Sequence, residues 1–83
     1  MDLFKGIIEA KTLAILRLFL DSSDEYFHIN LVSQKTKVPL ATAFRIIKKL
    51  EQHDFIEHKI ISKFKIYRLK PNKKTKILGR FIK

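Results

Sequence analysis

A chain of 83 residues without cysteine is a single domain (1–83) with a modest core, because at this size folding buries only about 60% of the surface that the unfolded chain exposes. Disulfides, thiolate nucleophiles and cysteine metal sites are excluded, and a reducing cytoplasmic setting is expected. The net charge of +10 is unevenly spread: residues 1–30 hold five acids against three bases, residues 31–83 three acids against fifteen, and from Lys59 onward ten Lys or Arg stand without an acid. Such a field attracts a polyanion, nucleic acid first and an anionic membrane second.

In chain order, Asp2 can cap a first helix that reaches Leu20 and stops in DSSDE, whose side chains compete with helical hydrogen bonds. The helix carries more apolar residues than one face holds, and the surplus, with Phe4, Ile8, Ile15 and Phe19, is read as a subunit contact. Its longest apolar runs, Leu13 to Leu16 and Leu18 to Leu20, are split by Arg17 and fall short of the roughly 20 residues of a membrane helix. The opening MDLFKG begins with an acid and no small-residue cleavage site follows, so a soluble intracellular protein is expected.

Tyr26 to Ile29 suits a single strand. Asn30 is a good N-cap for a second helix from Leu31 to about Thr36. Pro39 forces Val38 out of the helical region and suits the first turn of a third helix, Pro39 to about His53. That helix sets Ala43, Ile46, Ile47 and Leu50 inward and Thr42, Arg45, Lys48 and Lys49 outward. From Lys63 to Leu69 polar and apolar residues alternate, the signature of a strand covered on one face. A hairpin with its turn near Ile61 to Lys63 follows, with Ser62 where Gly or Asn would be expected. Asn72 then caps a short last helix in which Ile77, Leu78, Phe81 and Ile82 share a face.

The expected fold class is therefore mainly α with a small β-hairpin (α+β), in the order helix, strand, helix, helix, hairpin, short helix. With INLVSQKTKVPLATAFRIIKKLEQHDFIEHKI followed by KIYRL, Ile29 to Leu69 resembles a winged helix-turn-helix domain of the MarR/ArsR-type transcriptional regulators, which include many small archaeal proteins. The Lys- and Ile-rich composition is thermophile-like. The chain would then divide into an N-terminal helix (1–21), the helix-turn-helix and wing (26–70) and a basic, apolar tail (71–83).

The resemblance implies a sequence-specific regulator of transcription on double-stranded DNA, a repressor where binding blocks polymerase. Its recognition helix would lie in the major groove, where base edges are distinguishable, presenting Leu40, Ala41, Thr42, Phe44 and Arg45 to bases and Lys48 and Lys49 to phosphates. Asn30, Lys35 and Lys37 would add phosphate contacts from the second helix and the turn. Lys59, Ser62, Lys63 and Lys65 would do so from the wing. The sequence departs from the family pattern in Leu40 and Phe44, where polar side chains commonly face the bases. Lys37 replaces the usual Gly of the turn, and Pro39 the usual polar cap.

The family pairs through terminal helices, so a homodimer is expected through Phe4, Ile8, Ile15, Phe19, Ile77, Leu78, Phe81 and Ile82. A symmetric dimer would set two recognition helices about 34 Å apart and favour a palindrome. No cofactor or metal is expected, since His28, His53 and His58 fit no ligand spacing. No carboxylate pair or phosphate-cradling loop points to an enzyme. The rival reading is an adaptor in a transcription or replication assembly, with Leu40 and Phe44 as anchors in a partner and only non-specific DNA affinity. A membrane-surface role for the basic tail, with Phe81 and Ile82 inserting, ranks below it.

Overall fold

The computed structural model describes residues 10–82, the side chain of Ile82 excepted. The expected helix start at Asp2, with Phe4 and Ile8, lies outside the described residues. Within them the order is α1 (Ala10–Asp21), β1 (Phe27–His28), α2 (Ile29–Thr36), α3 (Leu40–Gln52), β2 (Ile56–Ile61), β3 (Phe64–Leu69) and α4 (Lys73–Ile82). This is the expected order of a winged helix. β1 also joins the hairpin, giving an antiparallel sheet β1-β3-β2 in which Phe27 faces Tyr67 and Ile56 faces Leu69.

One core lies between the three first helices and one face of the sheet. Ile15, Leu16 and Phe19 of α1 meet Phe27, Val32, Val38, the α3 residues Ala43, Ile46, Ile47 and Leu50, and Ile56, Tyr67 and Leu69. Phe19 and Phe27 pack edge to face with centroids 5.4 Å apart, the arrangement that the ring quadrupoles favour. Ile15 and Phe19 were expected at a subunit contact; both are 0% exposed within the single chain. The helix holds that many apolar residues because α2, α3, β3 and α4 all pack on it, and full burial of each such side chain contributes about 1.5–3 kcal/mol.

The strand expected over Tyr26 to Ile29 shortens to Phe27–His28, and Asn30 is not the cap of the second helix. His28 is: its backbone is extended (φ −71°, ψ 148°) and its Nδ1 accepts the Asn30 N–H at 3.2 Å. The helix begins at Ile29 rather than Leu31 because this imidazole satisfies an otherwise orphaned amide of the first turn. α2 ends on Lys37, whose φ of 59° is left-handed. The turn into α3 is pinned from inside, Ser33 Oγ donating to the Val38 carbonyl at 2.6 Å while the Val38 side chain is buried.

Pro39 flanks α3 as its N-cap without a side-chain bond, rather than standing in its first turn, and the helix stops at Gln52 with His53 as C-cap. The end is a Schellman turn: the Phe55 N–H reaches the Leu50 carbonyl (2.9 Å) and the Asp54 N–H that of Glu51 (3.1 Å), with Asp54 at φ 64° in the place usually given to Gly. The hairpin turns over Ser62 and Lys63, Ser62 having φ 58°. Asn72 caps α4 as expected, its Oδ1 accepting the Thr75 N–H at 3.0 Å, while the buried Thr75 hydroxyl donates to the Lys70 carbonyl at 2.7 Å.

Candidate nucleic-acid interface

α3 is amphipathic because its apolar residues recur at 43, 46, 47 and 50, the spacing that puts them on one side of a helix. Its other side is open to solvent: Leu40 (48% exposed), Ala41, Phe44 (42%), Arg45, Lys48 and Lys49 are exposed, and Thr42 is half-buried at the margin. Leu40 and Phe44 are therefore surface residues of the motif, not concealed by the wing. Lys48 leans over the Phe44 ring, its Nζ 5.7 Å from the centroid, so the phenyl group and the ammonium form one amphipathic patch.

Among the described residues the ion pairs are Arg68 with Glu57 and Lys70 with Asp54, and the His58 imidazole is hydrogen-bonded to the Glu51 carboxylate. They leave Arg45, Lys48, Lys49, Lys63 and Lys65 without a carboxylate partner among those residues, so the positive charge of α3 and the wing tip is not cancelled locally. The Asn30 side chain and the cations Lys35 and Lys37 are also exposed. The Asn30 amide, in contrast, is taken by His28 and is not free to meet a phosphate.

The root of the wing holds a group that sequence reading did not assemble. The Tyr26 ring, just outside β1, lies under the Lys59 Nζ at 4.5 Å and the Arg68 guanidinium at 5.0 Å. Arg68 also donates to Glu57, from Nε at 3.2 Å and from a terminal nitrogen, and this bond makes the guanidinium hold its proton still more firmly than a free arginine. Lys59 is thus drawn to the body while Lys63 and Lys65 project. The parity of β1 and β3 would have put Tyr26 on the Arg68 side, but the pairing register that decides it spans some forty residues of chain.

On the opposite side of the sheet, Tyr67 sits beneath the His58 ring with centroids 6.1 Å apart. Burial raises its phenol pKa, and the negative charge of Glu51 raises it further. No three His, Cys, Asp or Glu among the described residues could hold a metal ion, and no helix among them is long and apolar enough to cross a membrane.

The sequence profile of the IclR helix-turn-helix domain matches residues 10–59, from the start of α1 into β2. The chain belongs to the IclR helix-turn-helix domain family. This is a DNA-binding domain of transcription regulators, so the winged helix-turn-helix expected from the sequence is present, with the IclR profile as its match where the sequence alone suggested MarR or ArsR. Solved structures share the whole architecture of this IclR-type domain. AF1382 from Archaeoglobus fulgidus superposes with a TM-score of 0.77 at 25% identity, over 98% of this chain and 89% of that one. The homodimeric winged helix-turn-helix DNA-binding domain of Mb0332 from Mycobacterium bovis, a possible ArsR-family regulator, gives 0.69 at 18%, over 94% and 66%. The MarR family regulator SPO1453 from Silicibacter pomeroyi gives 0.71 at 10%, over 94% of this chain but 54% of its own. The IclR-type chain thus spans about half to two thirds of the last two. No protein of curated function matches it.

Proposed function

We propose that the protein is a sequence-specific regulator of transcription in the cytoplasm, a repressor that acts by occupying promoter DNA as a homodimer. α3 enters the major groove with Leu40, Ala41, Thr42, Phe44 and Arg45 toward the base edges and Lys48 and Lys49 toward phosphates. The wing, through Ser62, Lys63 and Lys65 with Lys59 at its root, lies along the flanking backbone or minor groove, and Lys35 and Lys37 add phosphate contacts beside α2. The observation that carries this reading is the outer face of α3, which holds three cations without a carboxylate partner among the described residues, on a helix whose other face is locked in the core.

Arg45 is the one side chain of that face with the forked donors that can hold a guanine by two hydrogen bonds, a contact worth about 1–3 kcal/mol of discrimination. Lysines at the tip and along α3 neutralise phosphates without reading sequence. Selection of bound sequences from a random duplex pool at two salt concentrations tests the proposal. An enriched palindrome with half-sites one helical turn apart is the expected result, and Arg45→Ala is expected to relax preference at one position of each half-site. Retention that vanishes at higher salt, with no enriched sequence, would overturn specific readout.

A second reading rests on a different observation. Leu40 and Phe44, one turn apart on α3, are exposed together, and Leu31 of α2 is exposed as well (38%). Such residues suit a groove on a protein partner in a transcription or replication assembly. The same selection separates the two, since an adaptor would bind DNA weakly and without sequence preference.

A further inference from the structure

The end of the wing is not simply basic. Ile60, Ile61 and Phe64 are 62%, 52% and 60% exposed, a concentration of large apolar side chains that folding leaves in water. Ile61 and Phe64 face each other across the last rung of the hairpin, and Ile60 faces Lys65 on the next. Alternation along the strands puts the Ile61 and Phe64 pair on one face of the blade and Ile60 on the other. The Phe64 ring is steadied edge-on by the His28 ring, with centroids 5.6 Å apart. Lys63 and Lys65 flank this group in the chain, Lys59 lies at the root of the wing over Tyr26, and no acid lies between Glu57 and the end of the chain.

We propose that the Ile61 and Phe64 pair at the wing tip is a wedge that enters the minor groove of duplex DNA, unstacks a base step and bends the helix. The proposal rests on the reading of the protein as a duplex-binding domain and deepens it. Three considerations select this occupant. The tip offers three large apolar side chains, short of the roughly 20–30 residues on each side of a stable protein interface, whereas a minor-groove wedge needs only one or two apolar side chains between base steps. The flanking lysines complement a phosphate backbone on both sides of the groove. Two paired strands lie about 4.8 Å apart before side chains are counted, and the minor groove is about 6 Å wide, so the blade enters only by widening the groove, which is the deformation that accompanies a kink.

The wedge is best accommodated at pyrimidine–purine steps such as TA, which unstack at least cost. It would therefore give the protein a preference at a position that no hydrogen bond reads. The lysines of the tip hold the protein down while the apolar pair opens the step.

The test uses a duplex of about 25 base pairs with central TA steps, 2-aminopurine at one of them and a donor and acceptor dye at its ends. At low salt the wild-type protein is expected to raise the 2-aminopurine fluorescence several-fold and to shorten the end-to-end distance. I61S/F64S is expected to bind within about tenfold of wild type with unchanged salt dependence, and to produce neither signal. Phe64→Leu keeps an apolar wedge and is expected to keep both. Wild-type binding without unstacking, signals that survive in I61S/F64S, or their loss in a folded F64L protein would each overturn the wedge while leaving DNA binding intact. Should wild type fail to bind the duplex at low salt, the reading as a duplex-binding domain falls and the wedge with it. A mutant whose only change is lost self-association would make the tip a contact between copies and overturn the proposal.

Discussion

Lys37 carries two demands at one position. Its left-handed backbone (φ 59°) closes the turn between α2 and α3, and an L side chain there costs about 1–2 kcal/mol, which Gly does not incur. Its ammonium is exposed beside the proposed DNA surface. Lys37→Gly is therefore expected to stabilise the fold by about 0.5–1 kcal/mol once glycine's greater freedom in the unfolded chain is subtracted, raising the melting temperature by a few degrees, while weakening DNA binding. Calorimetry and a salt titration of DNA affinity read the two effects separately, and a lower melting temperature would mean that the turn is unstrained. Tyr67 makes a prediction of the opposite kind. Its pKa is raised in the fold by burial and then by Glu51, so the native state holds the phenolic proton more tightly than the unfolded chain does. The stabilisation is fully present below the unfolded value of about 10 and is lost as pH rises through the higher folded value. Denaturant titrations at rising pH are expected to show stability falling on the alkaline side in wild type, and falling less in Tyr67→Phe. Parallel curves for the two proteins would remove Tyr67 as the cause.

At the scale of elements, the helix-turn-helix was readable because α3 follows a single period, and the wing because its residues are strand formers with a turn between them. The 43, 46, 47, 50 spacing fixes the inner face of α3, whereas the alternation through residues 63–69 marks β3 as a strand but slips between Ile66 and Tyr67, so that Tyr67 and Leu69 face the core and Phe64, on the other face, is left exposed. Asn72 was readable as a cap because its chemistry is local. Asn72→Ala is accordingly expected to cost about 0.5–2 kcal/mol, with the loss visible in the hydrogen exchange of α4 before that of α3; equal acceleration of both helices would mean that α4 does not unfold on its own. What the sequence concealed depends on partners distant in the chain. His28 reads as a strand residue until the turn of the backbone brings its Nδ1 to the Asn30 amide, and Asn30 reads as a cap because Asn is a good one. Ile15 and Phe19 read as surplus because one helix face cannot hold them; β3 and α4, which follow much later, supply the further surfaces that bury them. Tyr26 is joined to Lys59 and Arg68 only once β1 has paired with β3.

At the scale of the whole molecule, burial of Ile15 and Phe19 shifts the proposed subunit contact onto α4. Leu78 is half-buried against the core and anchors the helix, while Ile77 (51% exposed) and Phe81 (82%) are left in water. A helix that packs on α1 by one face and exposes large apolar groups on another is suited to a two-fold contact with its copy. Two readers held in one dimer bind a palindrome with the second half-site met at high effective concentration, so avidity exceeds the affinity of one subunit by about 10²–10⁴. I77E/F81E is expected to give a monomer with a melting temperature close to that of wild type, because neither side chain belongs to the core, and to lose most of its affinity for a two-half-site duplex while keeping its affinity for a single half-site. Light scattering gives the mass and circular dichroism the fold. A wild-type protein that is already monomeric at the concentrations of the binding assay, or a double variant that remains dimeric, would remove α4 from the contact. A variant that unfolds would show instead that Ile77 and Phe81 support the chain's own packing. Comparison with Ile15→Asp, which buries a charge without a partner and is expected to unfold the domain, calibrates that outcome: core and contact residues sit on different helices, and only the α4 pair should separate assembly from folding.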